Sequence, residues 1–397
     1  MRTFIKNTPL QTLCVVALAF LFKDAISPSV ASMFYTLSTV LKDLLLLFLP
    51  IAICVYIATT LAHFEKKGLL LLIALLAFEA LSNTCASVAA YGLSFVGAPL
   101  FAHHDMVTSN ATLEPLFSIA SFCPSFWRVE YGSLAGVILG ISLPYLRNTF
   151  LVRVVEQGKR TVDFILSKGF SKLIPLFVLG FFINLTRTWS LDVFAQKGGL
   201  AIGVLAVGLL SYITFLYFLA AGSISKAFLF LKNAMPAGLT AFSSMSSVAT
   251  MPVTIECTRK NLHNPDFAKM LIPATTNIQQ IGDCFTNVFL CCVILSFFGK
   301  GIPDVHTFTT FLTVFILARY TTAAVVGGAI FIMLPIYQTY LGFTPEMIAL
   351  ILAFNMLLDP LVTSTNVMAN VGLCSLFEKF WGMISPQKPS HKLDKAA

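Results

Sequence analysis

The chain has 397 residues, of which 57% are hydrophobic and 11% charged, with a formal net charge of +8 and a mean hydropathy of +0.84. A water-soluble domain of this size does not carry that balance, so most of its surface must face lipid. The basic excess lies between apolar runs and not on one soluble face, which excludes a nucleic-acid partner and makes these charges markers of membrane topology.

A crossing takes roughly 20 mostly apolar residues, so the chain has room for about eight spans with loops. Arg2 and Lys6 precede the first run, 9–22, and no small-residue cleavage site follows convincingly, which predicts a retained first helix. The runs 44–62 and 69–98 flank Lys66–Lys67, and the second carries Glu79, Ser82 and Asn83. Segment 99–130 has only Arg128 as a basic residue, and its His103–His104–Asp105 cluster is read as hydrated loop rather than metal site. Runs 132–146, 172–186 and 198–222 follow, the first trailed by Arg147, Arg153, Lys159 and Arg160. With the N-terminus in the cytoplasm, these clusters, Arg259–Lys260 and the basic tail from Lys379 all fall on that side. A plasma (inner) membrane protein with both termini cytoplasmic is predicted. The nine cysteines show no CxxC spacing and are read as small packing residues.

From 236 onward the chain mixes Pro, Ser, Thr and Gly with apolar residues in the same order twice. The first unit has a hydroxyl-rich tip, Ser243 to Pro252, including Ser246, Ser247 and Val248, and then a polar interruption, Thr275 to Asp283, with Asn277 and Gln279 inside it. The second has its tip at 321–328, including Val325, Val326 and Gly327, and its interruption at Thr363 to Asn370. Non-helical backbone at membrane depth is tolerated only where protein or a watery cavity satisfies its N–H and C=O groups. Paired interruptions in two repeats therefore predict re-entrant hairpins around a midplane binding site. Within the last apolar segment, Asp359, Thr363, Asn366 and Asn370 fall at i, i+4, i+7 and i+11 and form one polar stripe. An intramembrane carboxylate such as Asp359 is costly to insert and marks a candidate functional group.

These residues resemble the dicarboxylate/amino acid:cation symporter family of the glutamate-transporter type, over nearly the whole chain. The run Ser246 to Thr254 is similar to the family's serine-rich tip ending in Thr-Leu-Pro-Val-Thr, Leu358-Asp359 to Asn366-Val367 resembles its last helix, and Leu44 to Thr60, with Pro50-Ile51, its second span. The resemblance implies an all-α membrane protein of elevator type with two re-entrant hairpins, inverted repeats and about eight spans. It further implies a homotrimer, with residues 1–222 mainly scaffold, 223–382 transport domain and 383–397 a cytoplasmic tail. Both hairpin tips would touch the solute through backbone amides, Asp359 would hold its amino group and Asn366 its main-chain carboxylate.

Where the family has an Arg to grip an acidic side chain, this chain has Val362, and Met245 stands at the alternative position on the tip. Without a guanidinium fork a second carboxylate would be buried unpaired, so a neutral amino acid is expected. Acidic amino acids, C4-dicarboxylates and uncoupled exchange are the alternatives.

The family's Asn-Met-Asp-Gly-Thr is represented by Gln279-Gln280-Ile281-Gly282-Asp283, and a second sodium-site carboxylate is Asn370 here. Two anionic oxygens that a hard cation prefers are thereby lost. The coupling cation stays open between Na+, at Gln279, Asn366 and Asn370, and H+, with Asp283 read either as a proton carrier or as a structural hydrogen-bonding group. Glu79 lies where the family supplies oxygens to a further ion site. Arg319 is read either as a tethered cation or as a snorkelling side chain. No cofactor is expected. No Ser–His, paired-Asp or HExxH arrangement at membrane depth suggests an enzyme, and no ring of carbonyls or charges suggests a channel.

Overall fold

A computed structural model describes residues 8–22, 25–62, 69–101, 113–117, 129–146, 149–165, 169, 173, 175–176, 179–180, 182–184, 191–276, 278–322 and 329–384. Among them, regular structure is helical: α1 Thr8–Leu21, α2 Pro28–Ala62, α3 Leu69–Phe101, α4 Val129–Leu146, α5 Thr149–Asp163, α6 Leu191–Ala221, α7 Ile224–Ser244, α8 Ser247–Arg259, α9 Phe267–Thr275, α10 Ile281–Phe297, α11 Val305–Thr322, α12 Ala329–Leu341 and α13 Pro345–Ile384. Among the described residues, three stretches are long and apolar enough to cross a membrane, Ile73–Gly97, Gly198–Ala221 and Pro345–Met383, and Ile281–Phe297 is a shorter apolar helix. The molecule is a helical membrane protein.

Packing gathers the chain into two compact units, one made of Met1–Leu72, Asn83–Gly208 and Cys284–Asp359, the other of Ile73–Ser82, Leu209–Asp283 and Pro360–Ala397. In the first, α2 packs along α4 and α5, and α11 packs on α12. The α2–α4 approach is close because Gly132 faces the carbonyl of Pro50, where an added Cβ would lie 2.3 Å from the oxygen. Tyr91 stacks on Phe308 at 3.8 Å and donates to the Pro303 carbonyl at 2.6 Å. Buried Asn287 is served twice, by the Tyr337 hydroxyl at 3.0 Å and by Asn355 Nδ2 at 2.9 Å. A lone amide in an apolar helix survives because its oxygen is satisfied in this way.

In the second unit, α7 and α8 pack on each other across a two-residue turn, and α8 packs on α9. The chain reverses at Met245, whose φ of 51° is left-handed and whose N–H still bonds the Ala241 carbonyl. Ser246 then restarts the helix, its hydroxyl accepting from the Ala249 N–H at 3.2 Å. On the C-terminal half of α13, Glu378 accepts from the N–H groups of His263 at 2.9 Å and Asn264 at 2.7 Å. Phe377 meets Phe78 edge-on at 5.4 Å, which ties 73–82 to the same unit.

One expectation is corrected. Residues Thr363 to Asn370 do not interrupt a helix, because α13 runs unbroken from Pro345 to Ile384. The polar side chains share a face and leave the main-chain ladder intact. The first interruption is a real break: α9 ends at Thr275 and α10 begins at Ile281. Of the second tip, 321–328, the first two residues end α11 and 323–328 lie outside the described residues.

Two stability predictions follow from these contacts. Gly132→Ala forces α4 off Pro50, and overpacking of this kind costs about 1–3 kcal/mol, read as a lower melting temperature in detergent. Asp304 caps α11, accepting from the Thr307 N–H at 2.8 Å and its hydroxyl at 3.0 Å. The Thr307 backbone N–H, then its hydroxyl, hold the Asp304 carboxyl below its usual range. A depressed carboxylate stabilises above its unfolded pKa and ceases to do so as pH falls through its folded value. Asp304→Ala is therefore less stable than wild type at neutral pH, and the gap closes on acidification below about pH 4.

Candidate functional site

The break between α9 and α10 leaves main-chain groups that neither helix satisfies, and α13 supplies what they lack. Asn366 Oδ1 accepts from the Gly282 N–H at 2.8 Å and lies 3.4 Å from that of Asp283, so it caps the start of α10 from outside the helix. Its Nδ2 donates to Asp283 Oδ2 at 2.6 Å. The Gln279 amide satisfies both its groups when Nε2 donates to the Asn366 carbonyl at 2.7 Å and Oε1 accepts from the Ile281 N–H at 3.2 Å. One turn further along α13, the Thr275 hydroxyl lies 2.7 Å from Asn370 Oδ1, with the Cys374 thiol 3.7 Å from the same oxygen.

Glycine makes this closeness possible. A Cβ at Gly282 would stand 2.7 Å from the Val362 carbonyl and 3.0 Å from both Asn366 Oδ1 and Thr365 Cβ. Only a residue without a side chain fits between α10 and α13 there.

Gln279, Asp283, Asn366 and Asn370 are thus brought together by the second unit. Val362 and Thr363 are buried on the same segment of α13, at 5% and 7% exposure. Ser246 lies in the turn between α7 and α8, and Ser247 and Val248 open α8; Ser246 and Ser244 spend their described hydrogen bonds locally, and Val248 is 48% exposed. Glu79 is 1% exposed, and its Oε2 has no hydrogen-bond partner among the described residues, nor has Ser82 Oγ one turn on.

Arg319 and Asp359 belong to the first unit. Arg319 is 2% exposed with its guanidinium carbon 4.8 Å from the Phe315 ring centre, so it is buried over an aromatic face rather than snorkelling. Asn277, Val325, Val326 and Gly327 lie outside the described residues. Among the described residues no group of three His, Cys, Asp or Glu could hold a metal ion.

Three further contributors were not singled out from the sequence. Thr275 and Ser364, inside the two polar stretches, bond Asn370 and donate to the Gly238 carbonyl at 2.9 Å respectively, and the Tyr217 hydroxyl donates to the Met368 carbonyl at 2.8 Å. Tyr217 is one of two phenols in the run 198–222; Ser364 sits beside the stripe rather than on it.

A discontinuous helix closed by the polar stripe of a long apolar one places the molecule among membrane proteins that hold polar groups at broken helices. Residues 134–380 match the Sodium:dicarboxylate symporter family, and the chain belongs to that family. It is 26% identical to human excitatory amino acid transporter 2 over 230 residues, 54% of this chain and 39% of that protein. It is 25% identical to the serine/threonine transporter SstT of Acinetobacter baumannii over 140 residues, 35% of this chain and 34% of that protein. A Caenorhabditis elegans excitatory amino acid transporter is 27% identical over 144 residues, 36% of this chain and 28% of that protein. The chain thus spans well under half the length of these curated relatives.

Asn366→Leu keeps the volume and removes both the cap of α10 and a donor to Asp283. A loss of about 2–3 kcal/mol is expected, measured as a lower melting temperature, while Ser364→Ala, which loses one hydrogen bond, costs about 1 kcal/mol.

Proposed function

We propose that the protein is a secondary transporter that imports a neutral amino acid across the plasma membrane, coupled to a cation, H+ or Na+. Family membership supports transport of a small organic solute with a cation. The observation that carries the neutral solute is Val362: a buried apolar side chain stands beside Asn366 where an acidic side chain would need a guanidinium. The serine/threonine specificity in the name of one relative supports the same reading. The excitatory amino acid transporters among the relatives keep an acidic amino acid as the second reading.

In this proposal Asp359 binds the solute's amino group and Asn366 its carboxylate, with Thr363 beside them. The tips at Ser246–Val248 and Val325–Gly327 act as gates. Residues 1–222 form mainly scaffold and trimer contacts, and 223–382 move as the transport domain of an elevator.

Uptake of labelled serine or alanine into proteoliposomes, competed by other neutral amino acids and not by aspartate, is the expected result. Aspartate uptake that neutral amino acids do not compete would overturn the neutral reading.

A further inference from the structure

The name of the family carries sodium, and three residues at the break, Gln279, Asn366 and Asn370, are where the resemblance puts a Na+ ion. Their chemistry can be tested oxygen by oxygen. A hard cation needs several oxygen lone pairs turned toward one point, and it binds best when some of those oxygens are anionic.

Here each oxygen already faces a proton. The Asn366 carbonyl faces Gln279 Nε2 at 2.7 Å, and Gln279 Oε1 is turned to the Ile281 N–H at 3.2 Å. Asn366 Oδ1 caps Gly282 N–H at 2.8 Å. Asn370 Oδ1 faces the Thr275 hydroxyl at 2.7 Å, the shorter of that proton's contacts since the Leu271 carbonyl lies at 2.9 Å, and the Cys374 thiol at 3.7 Å. Charge points the same way as geometry. All three residues are neutral amides, the aligned carboxylate position is Ile281 with no exposure at all, and the nearby Asp283 Oδ2 accepts from Asn366 Nδ2 at 2.6 Å. A cation placed among these atoms would compete with N–H and O–H hydrogens for the oxygens' lone pairs, and none of the three residues would offer it a carboxylate.

We infer that the chain's own donors, Gln279 Nε2 and the Thr275 hydroxyl, fill the place of the sodium ion at Gln279, Asn366 and Asn370, so that this set binds no Na+ and coupling does not run through it. The inference deepens the transport reading and rests on it only for its solute assay. It leaves H+ coupling, Na+ coupling through another site, or exchange without an ion as the transport modes open to the protein.

The test begins with the ligand-free protein in detergent. An ion that binds the folded state raises its melting temperature with concentration. The expected result is that melting temperatures in NaCl, KCl and choline chloride at equal ionic strength coincide across a sodium titration. A Na+-specific rise that disappears in both Asn370→Ala and Gln279→Ala would place the ion at this set and overturn the inference. A rise retained in either variant puts the ion elsewhere and leaves the inference standing; using two variants guards against one that fails to fold. Affinity for labelled serine or alanine is then compared in Na+ and choline, with no change expected between the two salts. Should no amino acid bind in either salt, the transport reading fails, while the melting comparison still decides the ion.

Discussion

A helix that stops inside an apolar protein exposes main-chain donors and acceptors where water is scarce, and the second unit is organised around meeting that demand between Thr275 and Ile281. Asn366 does most of it, since its side-chain amide accepts from the start of α10 and donates to Asp283, while its main-chain carbonyl is held by Gln279. The position of the first residues of α10 relative to the second half of α13 depends on this residue. Shortening or removing it would leave several buried groups without partners at once, and such deficits cost more than the hydrogen bonds contribute when made.

Close approach is the condition for that arrangement, and small residues set it. Gly282 lets α10 lie against the Val362 carbonyl, and Gly238 lets α7 lie against Met368, where a Cβ would come within 2.6 Å of the sulfur. Ser364 uses the second approach to bond the Gly238 carbonyl. Membrane helices lack a hydrophobic force between them and associate through contacts of this type, with small residues and interhelical hydrogen bonds. The polar stripe of α13 is therefore an inward face, and this explains why the helix carries it without breaking.

The apolar runs and the polar residues at 275–283 were readable in the sequence because both follow from one-dimensional patterns: hydropathy, helical spacing, and Pro or Gly where helices stop. The stripe was read correctly as a face and wrongly as an interruption. Spacing alone does not separate the two, since Thr, Asn and Ser are tolerated in a helix whenever a neighbour takes their hydrogen bonds, and the neighbour here, 275–283, lies some 85 residues away. Tyr217, and the pairing of Thr275 with Asn370, were missed for the same reason. Each becomes meaningful only through its partner on α13, and partners distant in sequence leave no local trace. Arg319 was left between two roles because a basic residue in an apolar run looks the same whether buried or snorkelling; its 2% exposure separates them.

Charge balance links the identity of the solute to that of the ion. Relative to the family pattern, Val362 removes a positive charge, and Ile281 and Asn370 remove two negative ones. A buried site does not tolerate such changes singly, because an unpaired charge away from water costs several kilocalories per mole, on the order of a whole protein's margin of stability. Taken together they agree with the proposed reading, in which no acidic side chain has to be paired and no cation has to be held by carboxylates at this set. Asp283 remains beside the stripe and accepts from Asn366. A zwitterion adds no net charge to such a site, so the proposed neutral solute and the inferred closure of the cation set by the protein's own donors answer to one constraint.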